Sequence, residues 1–333
     1  MQPTPHVLTE PSPVDLTLVH EHGRSLSVRH SGQEILRYVY APWDPQFESP
    51  RPYFHPIRTL GGHEVSAYRP HDHVWHKGLV WSLPNVGTEN FWGGPTYNRG
   101  RGYEQLENNG SMNHVGFESI EASRDRICVV ENLEWVTQAG DLLVKEQRFF
   151  VVELLPSDQA AWVLTYTTQF SNESGQSIAL GSPTTNGREK AGYGGLFWRG
   201  PRSFTGGRVY APGVSGGDEL NGARAPWMAF SGDHDGGGGA STLVFVDSPG
   251  STDADGDEEH TEWFVRTGIY AVLSASPFYS RETDFTPDQT LSYRYALVIA
   301  DEDRGVDGSE ELAGAAIQFV GPRIEADIVG ADA

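Results

Sequence analysis

Five of the twelve histidines fall between positions 55 and 76: His55, His63, His71, His73 and His76. Imidazole has two chemistries near neutral pH, metal ligation and proton transfer. Spacing limits both. On an extended segment His71 and His73 share a face, whereas in a turn His73 and His76, three apart, share one. The pattern supplies two metal ligands, His73 and His76, but not a complete set. A third would come from His55, Glu189 or His260, and with a carboxylate the set would be of the 2-His-1-carboxylate type, so a divalent metal is a candidate cofactor. The helical zinc-protease pattern of His-Glu-x-x-His is absent. Under the proton-transfer reading, His73 or His76 acts as general base or acid at a carbon or hydroxyl of the substrate. Glu189 or His55 is then the opposing group, and Arg266 steadies developing negative charge. Asp72, beside His73, can orient an imidazole and raise its basicity. Arg58, Lys77 and Arg199, with Arg266, are the candidate cations for an anionic substrate. Trp75, Trp81, Trp92, Tyr97, Trp198 and Trp263 lie near these polar segments and are candidate stacking platforms, Trp92 foremost. The structural alternative is a polar turn whose histidines cap strand ends.

Elements of period two must position these groups. Glu34–Tyr40, Ile127–Val136, Glu146–Leu154, Trp162–Phe170, Thr242–Val246, Glu262–Leu273 and Thr290–Ile299 are rich in β-branched and aromatic residues. Each is bounded by Gly, Pro, Asp or Asn. Amphipathic helix patterns are scarce, Ser309–Ile317 being the best. With 39 Gly and 21 Pro as punctuation, the chain reads as all-β: one large antiparallel two-sheet sandwich over residues 13–300. Residues 301–333, acidic and rich in small side chains, read as a partly ordered C-terminal tail. Two Gly/Asp-rich stretches, 231–239 and 253–259, read as hairpin tips or insertions. The second resembles the start of a calcium loop but lacks its bidentate Glu.

The 333 residues carry 24 Lys plus Arg against 45 Asp plus Glu, a formal charge of −21. That balance argues against nucleic acid, which needs a basic face, and against docking on anionic membranes. Lys77, Lys145 and Lys190 are the only lysines. The single cysteine, Cys128, sits in a strand-like apolar run and reads as a small buried hydrophobe, which rules out an internal disulfide and cysteine zinc sites. Residues Met1–His6 show no basic region followed by an apolar run, and no stretch is long enough to span a bilayer as a helix. The expectation is a cytoplasmic protein with a small-molecule substrate.

Several segments resemble the PmoA-like family of unknown function. The matching residues are His55-Pro56, Arg58 and Gly61, followed by Asp72-His73-Val74-Trp75-His76-Lys77-Gly78-Leu79. Trp75 stands where the family pattern has another His. Asn90-Phe91-Trp92-Gly93-Gly94, Glu189–Leu196 with Arg199, Ala225–Gly232 and His260–Arg266 extend the resemblance over about residues 30–300. Phe264 replaces a further His of the pattern. The resemblance implies an antiparallel sandwich similar in outline to galactose-mutarotase-like supersandwiches, and it implies carbohydrate chemistry, since members accompany sugar-catabolic enzymes. Three functions are therefore expected candidates. The first is a carbohydrate-processing epimerase, lyase or hydrolase with a His-centred site. The others are a metal-dependent enzyme such as an oxygenase, and a non-catalytic carbohydrate-binding module.

Overall fold

The computed structural model describes residues 16–158, 160–248 and 260–320. Strand periodicity dominates it, as the alternation of apolar and polar residues requires. Among the described residues one sheet has eight strands, in the order Leu16–Glu21, Ser25–His30, Gln33–Val39, Tyr53–Ile57, Leu79–Ser82, Gly195–Arg199, Val272–Ser276 and Glu262–Arg266. A second has nine: Val214–Gly216, Arg208–Ala211, Trp227–Asp233, Ala240–Asp247, Thr290–Asp301, Ala161–Asn172, Leu142–Leu154, Arg126–Val136 and Ser111–Ala122. Neighbouring strands run antiparallel in both sheets. The chain is thus the two-sheet antiparallel sandwich that the sequence predicts.

The inner faces meet in one aromatic-rich core. Tyr38, Phe54, Trp81, Trp198 and Trp263 from the first sheet pack with Phe150, Trp162, Tyr166, Phe230 and Phe245 from the second. Ring centroids of Tyr38 and Phe150 lie 4.8 Å apart, those of Trp198 and Phe230 5.2 Å. Trp81, Trp198 and Trp263 are therefore core residues and not stacking platforms. Cys128 is buried beside Phe149 and Val151, as its apolar run implies.

Because side chains alternate along a strand, the residues between these core positions point to the outer face of the eight-stranded sheet. Val39, Tyr53, Val80, Phe197, Phe264 and Val272 form a separate buried cluster there, with Trp92 and Tyr279. An apolar outer face on a sheet needs a cover, and here loops supply it.

Two expectations change. Glu262–Leu273 is two strands, Glu262–Arg266 and Val272–Ser276, paired as a hairpin whose turn is residues 267–271. The hairpin tip at 234–239 matches the first Gly/Asp-rich stretch, while 253–259 lies outside the described residues. The second change concerns the region after residue 300, where the helix pattern Ser309–Ile317 is part of a longer helix. The last strand runs on to Asp301, and Gly305–Val320 is an α-helix laid on the outer face of the nine-stranded sheet. Leu312, Ala313 and Ala316 are buried there against Val163, Trp227, Val244 and Val298. The segment is a structural cover, and the i, i+1, i+4 spacing of its apolar residues is the reason.

Leu312→Ala should therefore lower the unfolding free energy by about 2–3 kcal/mol, the range for a buried leucine truncation. Urea denaturation measures it; a change below about 0.5 kcal/mol would place the helix outside the cooperative fold.

Candidate active site

The segment Ser66–Gly78 crosses the outer face of the eight-stranded sheet. Its two ends are stitched to the strand Gly195–Arg199: Ala67 N–H donates to Arg199 O at 2.9 Å, and Arg199 N–H donates to Gly78 O at 2.8 Å. Gly78 has φ 69°, and a Cβ there would meet Phe54 O at 2.3 Å, so this crossing requires glycine. Two successive turns, His73 N–H to Pro70 O and His76 N–H to His73 O, both 3.0 Å, place His73 and His76 on one side of the segment. Their rings stack with centroids 4.7 Å apart and planes 12° apart.

Arg199 organises both rings. Its Nη2 donates to Asp72 Oδ1 and Oδ2 at 3.0 and 2.8 Å, and its Nη1 lies 3.1 Å from His76 Nδ1. A guanidinium only donates, so His76 Nδ1 accepts, and the proton of the neutral ring sits on Nε2. Asp72 Oδ2 lies 2.9 Å from His73 Nδ1. An ionised carboxylate only accepts, so His73 Nδ1 carries a proton and Nε2 of the neutral ring is a lone-pair acceptor. The two neighbouring imidazoles thus hold opposite tautomers. Burial alone would raise the Asp72 carboxyl, but the hydrogen bonds from His73 and Arg199 and the Arg199 charge outweigh it and hold it at about 2. Burial, then the nearby His73, Arg199, Arg51 and Lys77, push His76 well below the usual imidazole range and keep it neutral.

These rings line a cavity of about 310 Å³ whose other walls include Trp75, Trp92, Tyr193, Phe197, Phe264 and Tyr270, with Arg188 and Arg266 at its polar end. Trp92 is set by its own turn: Asn90 Oδ1 accepts from the N–H groups of Trp92 and Gly93 at 2.8 and 2.9 Å. Gly94 (φ 67°) comes within 2.8 Å of the Trp75 ring, measured from where a Cβ would be. The Asn-Phe-Trp-Gly-Gly stretch is therefore a wall-building turn. Arg266 lies over the Phe264 ring at 4.5 Å and donates to the carbonyls of Val265 and Lys190. Arg188 donates to Tyr103 Oη at 2.5 Å, and that hydroxyl meets Tyr193 Oη at 3.0 Å.

Of the sequence-predicted residues, the structure brings His73, Trp75, His76, Trp92 and Arg266 to this cavity, with Asp72 and Arg199 directly behind. Asp72 and Arg199 orient the histidines, and both also line an adjoining cavity that shares His73 and Tyr270. Lys77 is a correction. It is fully buried between Asp44 (3.0 Å) and Glu48, and Arg69 and Arg51 join the same cluster. His55 and Arg58 line a different cavity on the far side of the Ser66–Gly78 segment, so His55 is not the partner of His73. Glu189 is exposed and outside the lining of either cavity. Tyr97 packs on Tyr103 in a small hairpin. Sequence reasoning missed Tyr270, Arg188, Tyr193 and Ile269. Tyr270 sits in the turn that splits the predicted strand Glu262–Leu273, and the Thr267-Gly268 pair was its signal. Among the described residues no group of three or more His, Cys, Asp and Glu side chains converges as a metal site. His73 and His76 have no third ligand there, and Asp72 is already engaged twice.

A family model described as a family of unknown function (DUF6807) matches residues 25–314. The chain belongs to that family. No curated protein matches it. Among solved structures, this DUF6807 member is similar to a GH36 alpha-galactosidase variant from Geobacillus stearothermophilus in complex with raffinose. That match has 10% identity and a TM-score of 0.33, over 74% of this chain and 30% of the other. It is also similar to the alpha-galactosidase from Lactobacillus brevis, at 8% identity and TM-score 0.37, over 87% and 40%. The chain thus spans well under half the length of either. No described helix is long and apolar enough to cross a membrane.

His55 yields a pH prediction. Burial, reinforced by Arg58 and Arg37, lowers it from 6.5 to about 4. The fold favours its neutral form, so this stabilisation is complete above pH 6.5 and fades as pH falls towards 4. Between those limits the wild type should lose about 3 kcal/mol more than His55→Gln in chemical denaturation. Parallel stability curves for the two proteins would refute the assignment.

Proposed function

We propose that the chain is an acid–base enzyme acting on a sugar or oxidised sugar, as a lyase or carbonyl isomerase. The observation that carries this reading is the pair of opposite tautomers opening side by side onto one aromatic-walled cavity. His73 Nε2 offers a lone pair and Asp72 stabilises the imidazolium that forms. His76 Nε2–H offers a hydrogen bond from a neutral ring.

The step that fits is removal of a proton from the carbon next to a carbonyl. The C–H proton passes to His73 Nε2, and its electron pair moves into the carbon–carbon bond as the carbonyl becomes an enolate oxygen. His76 Nε2–H donates to that oxygen as its charge develops, with Arg266 and Arg188 nearby. The enolate then expels a β-hydroxyl, which takes the proton back from His73 and leaves as water. Alternatively, His73 returns its proton to the former carbonyl carbon while the adjacent hydroxyl, becoming the new carbonyl, passes its own proton to the enolate oxygen. The aromatic walls suit the apolar faces of a sugar ring, and the volume suits a ligand of that size. Hydrolysis with two carboxylates is not favoured, because none of the described residues lining the cavity is Asp or Glu.

Incubation with keto-sugars in deuterated water should label the carbon beside the carbonyl. His73→Ala should slow that exchange about 10³-fold. Asp72→Asn should lower kcat with little change in KM, because Asp72 acts through the His73 tautomer. Exchange in His73→Ala at the wild-type rate would sink the proposal.

A further inference from the structure

The cavity on the other side of the Ser66–Gly78 segment has no part in that chemistry, yet it is the larger of the two, about 680 Å³. Arg24, Arg37, Arg58 and Arg69 converge on it, in a chain whose formal charge is −21. Its rim carries Trp43, 87% exposed, with the Arg24 guanidinium 5.4 Å from the ring. Tyr53 and Tyr68 stack at 5.1 Å on its wall. A tryptophan left this far in water beside a cavity has its flat face available for a ring-shaped ligand.

The polar groups are only partly satisfied. Arg37 donates through Nε and Nη2 to Glu34, and Nη1 is uncommitted among the described residues. Arg24 reaches Glu21 through Nη1 alone, at 3.4 Å. Asp44, which lines the cavity and is 3% exposed at its side chain, has Oδ2 buried with no partner among the described residues. Arg58 is shared between Glu34 and Glu64. Arg69 is held by Glu48, so each arginine has a carboxylate partner, yet Arg37 and Arg24 keep guanidinium N–H groups to spare beside the cavity. A sugar ligand carrying isolated carboxylates matches this lining: carboxylates for the arginine forks and a ring face for the exposed tryptophan. Glu34 and Glu64 oppose a concentrated charge such as a di- or triphosphate.

We propose that this cavity binds an acidic oligosaccharide, one containing uronic acid units, with a sugar ring on Trp43 and a carboxylate on Arg37 and Arg24. The assignment is independent of the reaction given to His73. The volume, more than twice that of the candidate active site, accommodates more than one ring.

Calorimetric titration with trigalacturonate, with maltotriose as the neutral comparison, tests it. Saturable binding of trigalacturonate is expected, weakened at least about tenfold in Trp43→Ala and in Arg37→Gln. Maltotriose should bind at least about tenfold more weakly, and added salt should weaken the uronate alone. His73→Ala should bind trigalacturonate as the wild type does. Any of four results overturns the proposal: no saturable binding, wild-type affinity in both Trp43→Ala and Arg37→Gln, equal affinity for the neutral sugar, or loss of binding in His73→Ala. The last would move the uronate to the His73 cavity. Failure here leaves the deuterium-exchange result untouched, so the two readings stand or fall separately.

Discussion

Among the described residues, four cations hold the Ser66–Gly78 segment against the outer face of the eight-stranded sheet. Arg199 ties Asp72 and His76, Arg51 donates to the carbonyl of Trp75 at 2.8 Å, and Lys77 is buried with Asp44 and Glu48. Arg69 closes on Glu48 from the other side. The segment's apolar contacts are fewer: Tyr68 stacks on Tyr53, and Trp75 packs against the outer-face cluster. Removing these charges from water is costly unless every partner is in place. The arrangement therefore tolerates little displacement, and that is what fixes the imidazoles to within a hydrogen-bond length.

Both cavities depend on this segment, because it is their shared wall. Tyr68 faces one and His73 the other. The sheet contributes the floor in both cases through its outward alternate residues: Tyr53 and His55 on one side, Phe197, Phe264 and Arg266 on the other. The helix Gly305–Val320 covers part of the outer face of the opposite sheet, whereas these two cavities open on the eight-stranded side.

The period-two segments were legible in the sequence because alternation is local, and the sandwich follows from them. The histidine cluster was legible for the same reason: His73 and His76 are three residues apart, and a turn alone brings them together. What was not legible is non-local. Arg199 meets Asp72 across more than a hundred residues, and only the pairing of its strand with the Ser66–Gly78 crossing reveals that it positions two rings. Lys77 was misread because an ammonium beside catalytic histidines resembles a ligand group; its burial between two carboxylates depends on Asp44 and Glu48, in a different loop. His55 was misread because closeness in sequence does not decide which side of a crossing segment a side chain falls on. The helix after residue 301 was legible only as the short pattern Ser309–Ile317; its full length and its seat on the sheet were masked by small and acidic residues and an apolar stripe built mostly of alanine.

The parallel stacking of His73 and His76 has a stereochemical consequence. Enzymes that invert a carbon by two-base exchange need their acid and base on opposite sides of it. Rings stacked 4.7 Å apart on one wall address a single face of a bound molecule. For the proposed chemistry, proton departure and return are then suprafacial, so an elimination would be syn and a carbonyl shift would keep the migrating hydrogen on its original side.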